Sequence, residues 1–248
     1  MFNTPESPLL KTTLTFSKCV LMISPMALIK SVLSGDSASV KNLLEDGVHV
    51  NFADTHGYTA LHYSAQRNYK NMVIWLIHAG AFVNLTTKDG HTALNLSSKE
   101  GHTEVVELLL EAGANVVIPD EYGYTALHYS ALRGHVDIVK SLVRLGADVD
   151  TTNECMETAL HLASMEGHVD VVGILIPFIK DVDSTNFFGD TALHYAVEYG
   201  YIDVVVLLLH SGASVGIVNK YGETVLDYAV EEGHLDILQC LQNKTWCV

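Results

Sequence analysis

The chain has 248 residues, 48% of them apolar and 17% charged, with a formal net charge of −15. This composition excludes an intrinsically disordered chain, because there is enough apolar surface to build a core. The 14 Lys and Arg residues are spread along the sequence, which argues against a nucleic-acid partner, since phosphate contacts need clustered basic side chains.

Residues 1–25 are predicted to form an N-terminal tail. Their one apolar run, Cys19-Val20-Leu21-Met22-Ile23, is too short to span a bilayer and lacks the basic start and cleavage pattern of a secretory signal. The four cysteines, Cys19, Cys155, Cys240 and Cys247, have no metal-site spacing. We therefore expect reduced thiols, no membrane insertion, and a location in the cytoplasm or nucleus.

A fixed period organises the rest of the chain. A threonine recurs every 33 residues, at Thr59, Thr92, Thr125, Thr158, Thr191 and Thr224. A second set on the same period consists of Gly47, Gly80, Gly113, Gly146 and Gly212, and Ile179 occupies the one vacant place. Two independent sets with one period indicate tandem repeats.

Each unit reads Asp-x-x-Gly-x-Thr-Ala-Leu-His-x-Ala, then x-x-Gly-His, then a Val/Leu run ending in Gly-Ala-x-Val, and it resembles the ankyrin repeat. The resemblance covers about residues 27–241 and implies an all-α solenoid of helix-turn-helix units joined by short hairpin loops. The family usually has Pro after the motif Thr, whereas this chain has Ala60 and its equivalents, with Val225 in the last unit. Because Ala is a good helix former, the helix start should survive.

The resemblance divides the chain into three parts. Residues 1–25 are the tail, and residues 26–53 form a degenerate N-terminal capping repeat that lacks the Thr-x-Leu-His phrase. Residues 54–248 form six repeats, the last acting as a C-terminal cap. In each repeat the Thr is predicted to cap the first helix, and a left-handed Gly to close the second.

The fourth full repeat deviates most from the pattern. Met156 replaces the hairpin Gly, Pro177 falls in the second helix, and Ile179 replaces the closing Gly. Since Pro lacks a backbone donor and a β-branched residue resists the left-handed cap, the second helix is predicted to stop near Pro177. Phe178 is expected to sit against the next repeat.

Thirteen histidines suggest a metal site, but most recur at two repeat positions. Equivalent positions on stacked helices lie roughly 8–10 Å apart, whereas zinc needs donors about 3–4 Å from one another. The resemblance implies instead that they hydrogen-bond the neighbouring turn. No phosphate loop, nucleophile elbow, His-Glu-x-x-His pair or Cys–His signature is present. We predict no cofactor, no metal and no enzymatic activity.

Ankyrin proteins typically expose the hairpin tips and the ends of the first helices, which form a concave face. Aromatic side chains are frequent interface anchors, and charge on this face is basic in the first half and acidic in the second. This pattern favours a partner protein with a basic segment over the C-terminal repeats; the alternative is a merely solvated surface. The candidate partner-binding residues are Tyr58, Arg67, Tyr122, Tyr124, Arg133, Glu157, Phe187, Phe188, Asp190, Tyr199 and Tyr221.

Three functions remain open at this stage. The first is a non-enzymatic, monomeric scaffold or adaptor that binds a partner protein through the concave face. The second is a dedicated inhibitor of a signalling protein, such as a Rel-type transcription factor or a kinase. The third, an enzyme or effector fragment of a larger protein, would need a catalytic domain that the sequence does not display.

Overall fold

The computed structural model describes residues 26–243, and the predicted tail lies outside the described residues. Within this range the chain forms fourteen α-helices and one 3-10 turn, with a single isolated β-bridge between Ala53 and Thr59. The predicted all-α solenoid is confirmed. None of the helices in residues 26–243 combines the length and apolar character needed to cross a membrane.

The helices pack as seven consecutive pairs, each pair contacting the next along the chain. The pairs are α1 Met26–Leu33 and α2 Ser37–Glu45, α3 Ala60–Gln66 and α4 Lys70–His78, α5 Ala93–Glu100 and α6 Thr103–Glu111, α7 Ala126–Leu132 and α8 Val136–Arg144, α9 Ala159–Met165 and α10 Val169–Leu175, α11 Ala192–Glu198 and α12 Ile202–His210, and α13 Val225–Glu231 and α14 Leu235–Asn243. We call the earlier member of each pair the first helix and the later one the second helix.

The motif threonine precedes the first helix in each of the six repeats from α3 to α13, as predicted. Thr125 has extended backbone, and its hydroxyl oxygen accepts the backbone N–H of His128 at 3.5 Å. The imidazole closes the capping box, because His128 Nδ1 accepts the Thr125 backbone N–H at 3.1 Å. Two helix donors that would otherwise lack partners are thereby satisfied by side chains.

The second helices end in two different ways. In most repeats a glycine in the left-handed region closes the helix, as Gly80 does with φ +87°. In the fourth full repeat, α10 passes into the 3-10 turn Ile176–Phe178, and Ile179 is extended. The predicted stop near Pro177 is confirmed.

The prediction that Phe178 packs on the next repeat is wrong, since its side chain is 58% exposed. The position directly follows the regular second helix, where Leu145 of the preceding repeat is exposed as well.

The core is one continuous cluster that runs through the whole stack. Most first helices contribute a Leu and an Ala, such as Leu61 and Ala65, and the second helices contribute residues such as Val73 and Leu76. Because a helix pair buries these side chains only against its neighbours, stability depends on the interfaces between repeats.

Candidate functional site

The hairpin tips are held outward by a side chain at the base of each hairpin. Asp120 Oδ1 accepts the backbone N–H groups of Tyr122 and Tyr124 at 3.0 and 2.9 Å. Asn186 Oδ1 makes the same pair of bonds to Phe188 and Asp190, at 2.8 and 3.0 Å. A short polar side chain bonding the backbone two residues on is the usual way to fix such a turn.

Successive tips are also bonded to one another. The backbone N–H of one tip donates to a carbonyl of the preceding tip, in the pairs Lys88 to His56 (2.9 Å), Glu121 to Asp89 (3.0 Å), Glu154 to Tyr122 (3.0 Å), Phe187 to Cys155 (2.8 Å) and Lys220 to Phe188 (2.9 Å). The approach is close: a Cβ on Gly90 would lie 2.8 Å from the Asp120 Cα. The side chains of the tips therefore stand in one row on a fixed backbone.

Large apolar side chains occupy this row in the C-terminal half. Between 43 and 68% of each side chain is exposed. We define the tip ridge as Tyr122, Met156, Phe187, Phe188 and Tyr221.

Contacts within the tip ridge order its rings. Phe187 and Phe188 meet edge to face with centroids 5.5 Å apart, and Phe188 stacks on Tyr221 at 6.3 Å. The Lys220 ammonium lies 4.1 Å from the Phe187 ring centroid, a geometry suited to a cation–π interaction. Four residues of the ridge were predicted from the sequence as candidate residues.

Met156 is the member of the ridge that the sequence reasoning missed as a site residue. It occupies the place of the tip glycines and has φ +61°, a conformation costly for a side chain with a Cβ. The sequence shows that Met156 interrupts the tip-glycine pattern, but this pattern alone does not predict where the side chain points. The structure places the side chain on the exposed row.

Two predicted aromatic residues, Tyr58 and Tyr124, are half-buried instead. Tyr58 stacks on Tyr63 at 5.0 Å, and Tyr124 packs on Tyr129 at 5.3 Å. The Tyr63 hydroxyl donates to Asp54 at 2.7 Å, and burial together with this carboxylate raises the pKa of Tyr63 to about 12. These tyrosines line the inner layer of the hairpins, beneath the tips.

The side chains of Glu157 and Asp190 accept hydrogen bonds from the following repeat. Glu157 Oε1 accepts the Tyr195 hydroxyl at 2.7 Å, and Asp190 Oδ1 accepts the Asn219 side-chain amide at 2.9 Å. Asp190 is only 8% exposed, so the expectation that its carboxylate faces solvent is wrong. The next repeat encloses it, and burial beside Glu157 raises the pKa of Tyr195.

The ends of the first helices carry the predicted charge pattern. Arg67, Arg133 and Tyr199 are exposed, although the Arg67 guanidinium also donates to the Leu33 carbonyl at 3.1 Å. Tyr199 stacks beside Tyr201 with centroids 6.5 Å apart.

Carboxylates crowd the same edge in the last three repeats. Glu166, Glu231 and Glu232 are exposed, and none of them belongs to an ion pair in residues 26–243. Partial burial, followed by the charges of Asp190 and Glu232, raises the pKa of Glu198. Like charges held this close disfavour one another's ionised forms, so a cation placed here would be attracted.

The repeated histidines join neighbouring repeats. His62 Nε2 faces the Leu85 carbonyl at 2.9 Å, and His102 Nε2 faces the Gln66 carbonyl at 2.9 Å. Since a carbonyl oxygen can only accept a hydrogen bond, Nε2 carries the proton in both His62 and His102. Burial lowers the pKa of His62 to about 4. The structural role implied by the resemblance is confirmed for His62 and His102, whereas the buried Nε2 atoms of His161 and His194 have no hydrogen-bond partner within residues 26–243. The described residues contain no group of three metal-ligating side chains.

Comparison with known proteins agrees with this geometry. A family model described as ankyrin repeats (3 copies) matches residues 15–87, 81–153 and 160–245. A second, described as ankyrin repeats (many copies), matches residues 131–176. No curated protein matches the chain.

Proposed function

Because the chain belongs to the ankyrin-repeat family, whose members are generally non-enzymatic protein–protein interaction modules, we propose that it binds a partner protein through the tip ridge and the adjoining first-helix ends. One observation carries the proposal: five large apolar side chains stand exposed in one row on tips that are hydrogen-bonded to each other. Exposure of several large apolar side chains, three of them in contact with one another, lowers solubility, which supports a role in binding.

Rigid placement makes the ridge effective for binding. The tip backbones are fixed by the base side chains and by the bonds between tips, so little backbone entropy is lost when a partner docks. Aromatic rings in such a setting supply large contact areas with few rotatable bonds. The ridge rings are further held by Phe188 stacking on Tyr221.

We propose that the partner carries a basic segment that lies over the acidic first-helix ends. Glu166, Glu231 and Glu232 are without ion-pair partners among the described residues, and Tyr199 stands exposed among these repeats. An arginine or lysine would gain both carboxylate and ring contacts there. Arg67 and Arg133 belong to the same edge in the earlier repeats.

The role we favour is that of a monomeric scaffold or adaptor in the cytoplasm or nucleus, built from a capping repeat at 26–53 and six repeats at 54–248. Dedicated inhibition of a signalling protein, such as a Rel-type transcription factor or a kinase, is the second candidate. The acidic edge favours it, because one tight basic partner would use that charge most fully. The two roles differ in the number and tightness of partners.

The ridge is tested by affinity purification from cell lysate with a fourfold variant, Tyr122→Ala, Phe187→Ala, Phe188→Ala and Tyr221→Ala. A matched control, Phe82→Ala, Leu145→Ala and Phe178→Ala, removes equally exposed apolar side chains outside the ridge. We expect the fourfold variant to lose the partner while the control keeps it, with unchanged circular dichroism for both. Retention of the same partner by the fourfold variant would contradict the proposal.

The basic segment is tested separately with the identified partner. Glu166→Lys, Glu231→Lys and Glu232→Lys together are expected to weaken binding and to reduce its salt dependence. Glu107→Lys and Glu111→Lys on the second helix α6, together with Asp203→Lys on the second helix α12, reverse the same number of charges and form the matched control. Equal losses from both sets would mean that net charge alone, rather than this edge, attracts the partner. One salt-sensitive partner would favour inhibition, and several weaker partners would favour scaffolding.

A further inference from the structure

At most junctions a polar side chain in the loop after the second helix bonds to the corresponding loop of the next repeat, and we call this side chain the clamp. Asn84 Oδ1 accepts the backbone N–H of Asn115 at 2.8 Å, and its amide donates to the Gly113 carbonyl at 3.3 Å. Asn51 makes the equivalent bonds to Phe82 and Gly80, at 2.8 and 3.1 Å. The clamp thus fixes the C-terminal end of the following second helix.

The later repeats use aspartate for the same purpose. Asp150 accepts the Lys180 backbone N–H at 3.3 Å and pairs with the Lys180 ammonium at 3.0 Å. Asp183 accepts the Ser214 backbone N–H at 2.8 Å. Clamps are therefore present on both sides of the middle of the array.

Val117 interrupts this series at the junction between residues 87–119 and 120–152. Its side chain has no polar atom and is 54% exposed. The Asp148 N–H, which corresponds to the clamped N–H of Asn115, donates no hydrogen bond within the described part of the chain. The loop itself is unchanged, since the Val117 N–H donates to Asn115 Oδ1 at 3.1 Å as the Asp150 N–H does to Asp148 Oδ1.

The surface of this junction carries a groove between the two second helices. An open groove of about 350 Å³ lies between α6 and α8, lined by Glu107, Leu110, Glu111, Ser141, Arg144 and Leu145. The groove and the missing clamp both lie where the two second helices end.

We propose that this junction is a hinge, at which the ends of α6 and α8 move apart while the rest of the interface stays closed. The tips remain bonded through Glu121 N–H to Asp89 O at 3.0 Å, and the first helices through His135 Nε2 to Lys99 O at 3.3 Å. Two blocks, residues 26–119 and 120–243, rotate about these retained bonds.

The hinge divides the proposed binding face. Every member of the tip ridge lies in the second block, whereas Arg67 lies in the first. If the proposed function holds, a partner that touches both blocks selects one hinge angle, so hinge opening sets part of its affinity. The hinge itself is measured without a partner, which keeps the two proposals separately testable.

Nuclear magnetic resonance on the full chain tests the hinge. Amide exchange at Asp148 should be about ten-fold faster than at Asn115, since a lost hydrogen bond of about 1.4 kcal/mol corresponds to a factor of ten. Residual dipolar couplings should require different alignment tensors for the two blocks. Val117→Asn restores the clamp, and it is expected to slow Asp148 exchange about ten-fold and to let one tensor fit both blocks.

Asn84→Val is the matched control, because it removes a clamp from the preceding junction. Exchange at Asn115 should then rise about ten-fold, which shows that the clamp alone controls these amides. Slow Asp148 exchange in the unaltered chain, or one alignment tensor for both blocks, would overturn the hinge. So would a Val117→Asn variant in which neither quantity changes.

Discussion

Acid should destabilise this protein through its buried histidines, and His62 allows the size of the effect to be worked out. The ring is almost fully buried, its Nε2 faces the Leu85 carbonyl, and its Nδ1 accepts the Thr59 backbone N–H at 3.1 Å. Burial is the main cause that lowers its pKa from 6.5 to about 4. In the folded protein this imidazole therefore stays neutral under conditions where the unfolded chain binds a proton.

The direction in which stability changes with pH follows from this difference in proton binding. A depressed folded-state pKa contributes stability above pH 6.5, and that stability is lost as the pH falls from 6.5 towards about 4. At 1.36 kcal/mol per pH unit, the full contribution is about 3 kcal/mol, and about 2 kcal/mol of it is lost by about pH 5. His128, His161 and His194 add to the same trend, since burial lowers the pKa of each.

The chain itself supplies a suitable replacement for His62. Asn95 occupies the equivalent position, where its backbone N–H donates to Thr92 Oγ1 at 3.1 Å and its amide donates to the Ile118 carbonyl at 3.3 Å. His62→Asn can therefore keep the cap and the bond between repeats without a titrating ring. Urea unfolding at about pH 7.5 and about pH 5 should show a pH-dependent loss about 2 kcal/mol smaller in the variant.

A control variant separates pH dependence from general destabilisation. Ala65→Gly, on the same helix as His62, should lower the unfolding free energy by about 1 kcal/mol at both pH values, because glycine weakens a helix interior. The reasoning is refuted if His62→Asn loses as much stability between the two pH values as the unaltered chain.

Three further predictions concern the hairpins and can be checked by urea unfolding. Met156→Gly should raise the unfolding free energy by about 1 kcal/mol, because it removes the strain of a left-handed backbone at a residue with a Cβ. Asn68→Gly is the control: Asn68 has φ +58°, but Asn tolerates the left-handed region, so the change should be less than about 0.5 kcal/mol. Gly90→Ala should cost about 1–3 kcal/mol more than Gly113→Ala, because both have positive φ but only Gly90 faces a backbone at 2.8 Å. Asp190→Ala should cost about 1–3 kcal/mol, because it removes the nearest acceptor of the Asn219 amide, at 2.9 Å, and leaves only the longer bonds to Glu223 and Tyr228 at 3.3 and 3.2 Å. A loss below about 0.5 kcal/mol would mean that the carboxylate is not structural.

The sequence by itself was sufficient for the period, the fold and most local geometry. Thr125 caps a helix, Gly80 closes one, and Pro177 stops one, because each depends on backbone preferences within a few residues. These preferences act alike in every repeat. The family resemblance, the all-α solenoid and the structural histidines therefore could be predicted before any contact was known.

Only the tertiary structure decided which side chains face solvent. Asp190 and Glu157 occupy a position that the sequence treats as a surface tip, yet the following repeat supplies Asn219 and Tyr195 to enclose them. Met156 is exposed because its backbone adopts the tip conformation without glycine. The missing clamp at Val117 matters only because position 117 lies against the next repeat. In a repeat array, burial depends on a residue's own position and also on the side chains 30 or so residues later, which a local pattern does not contain.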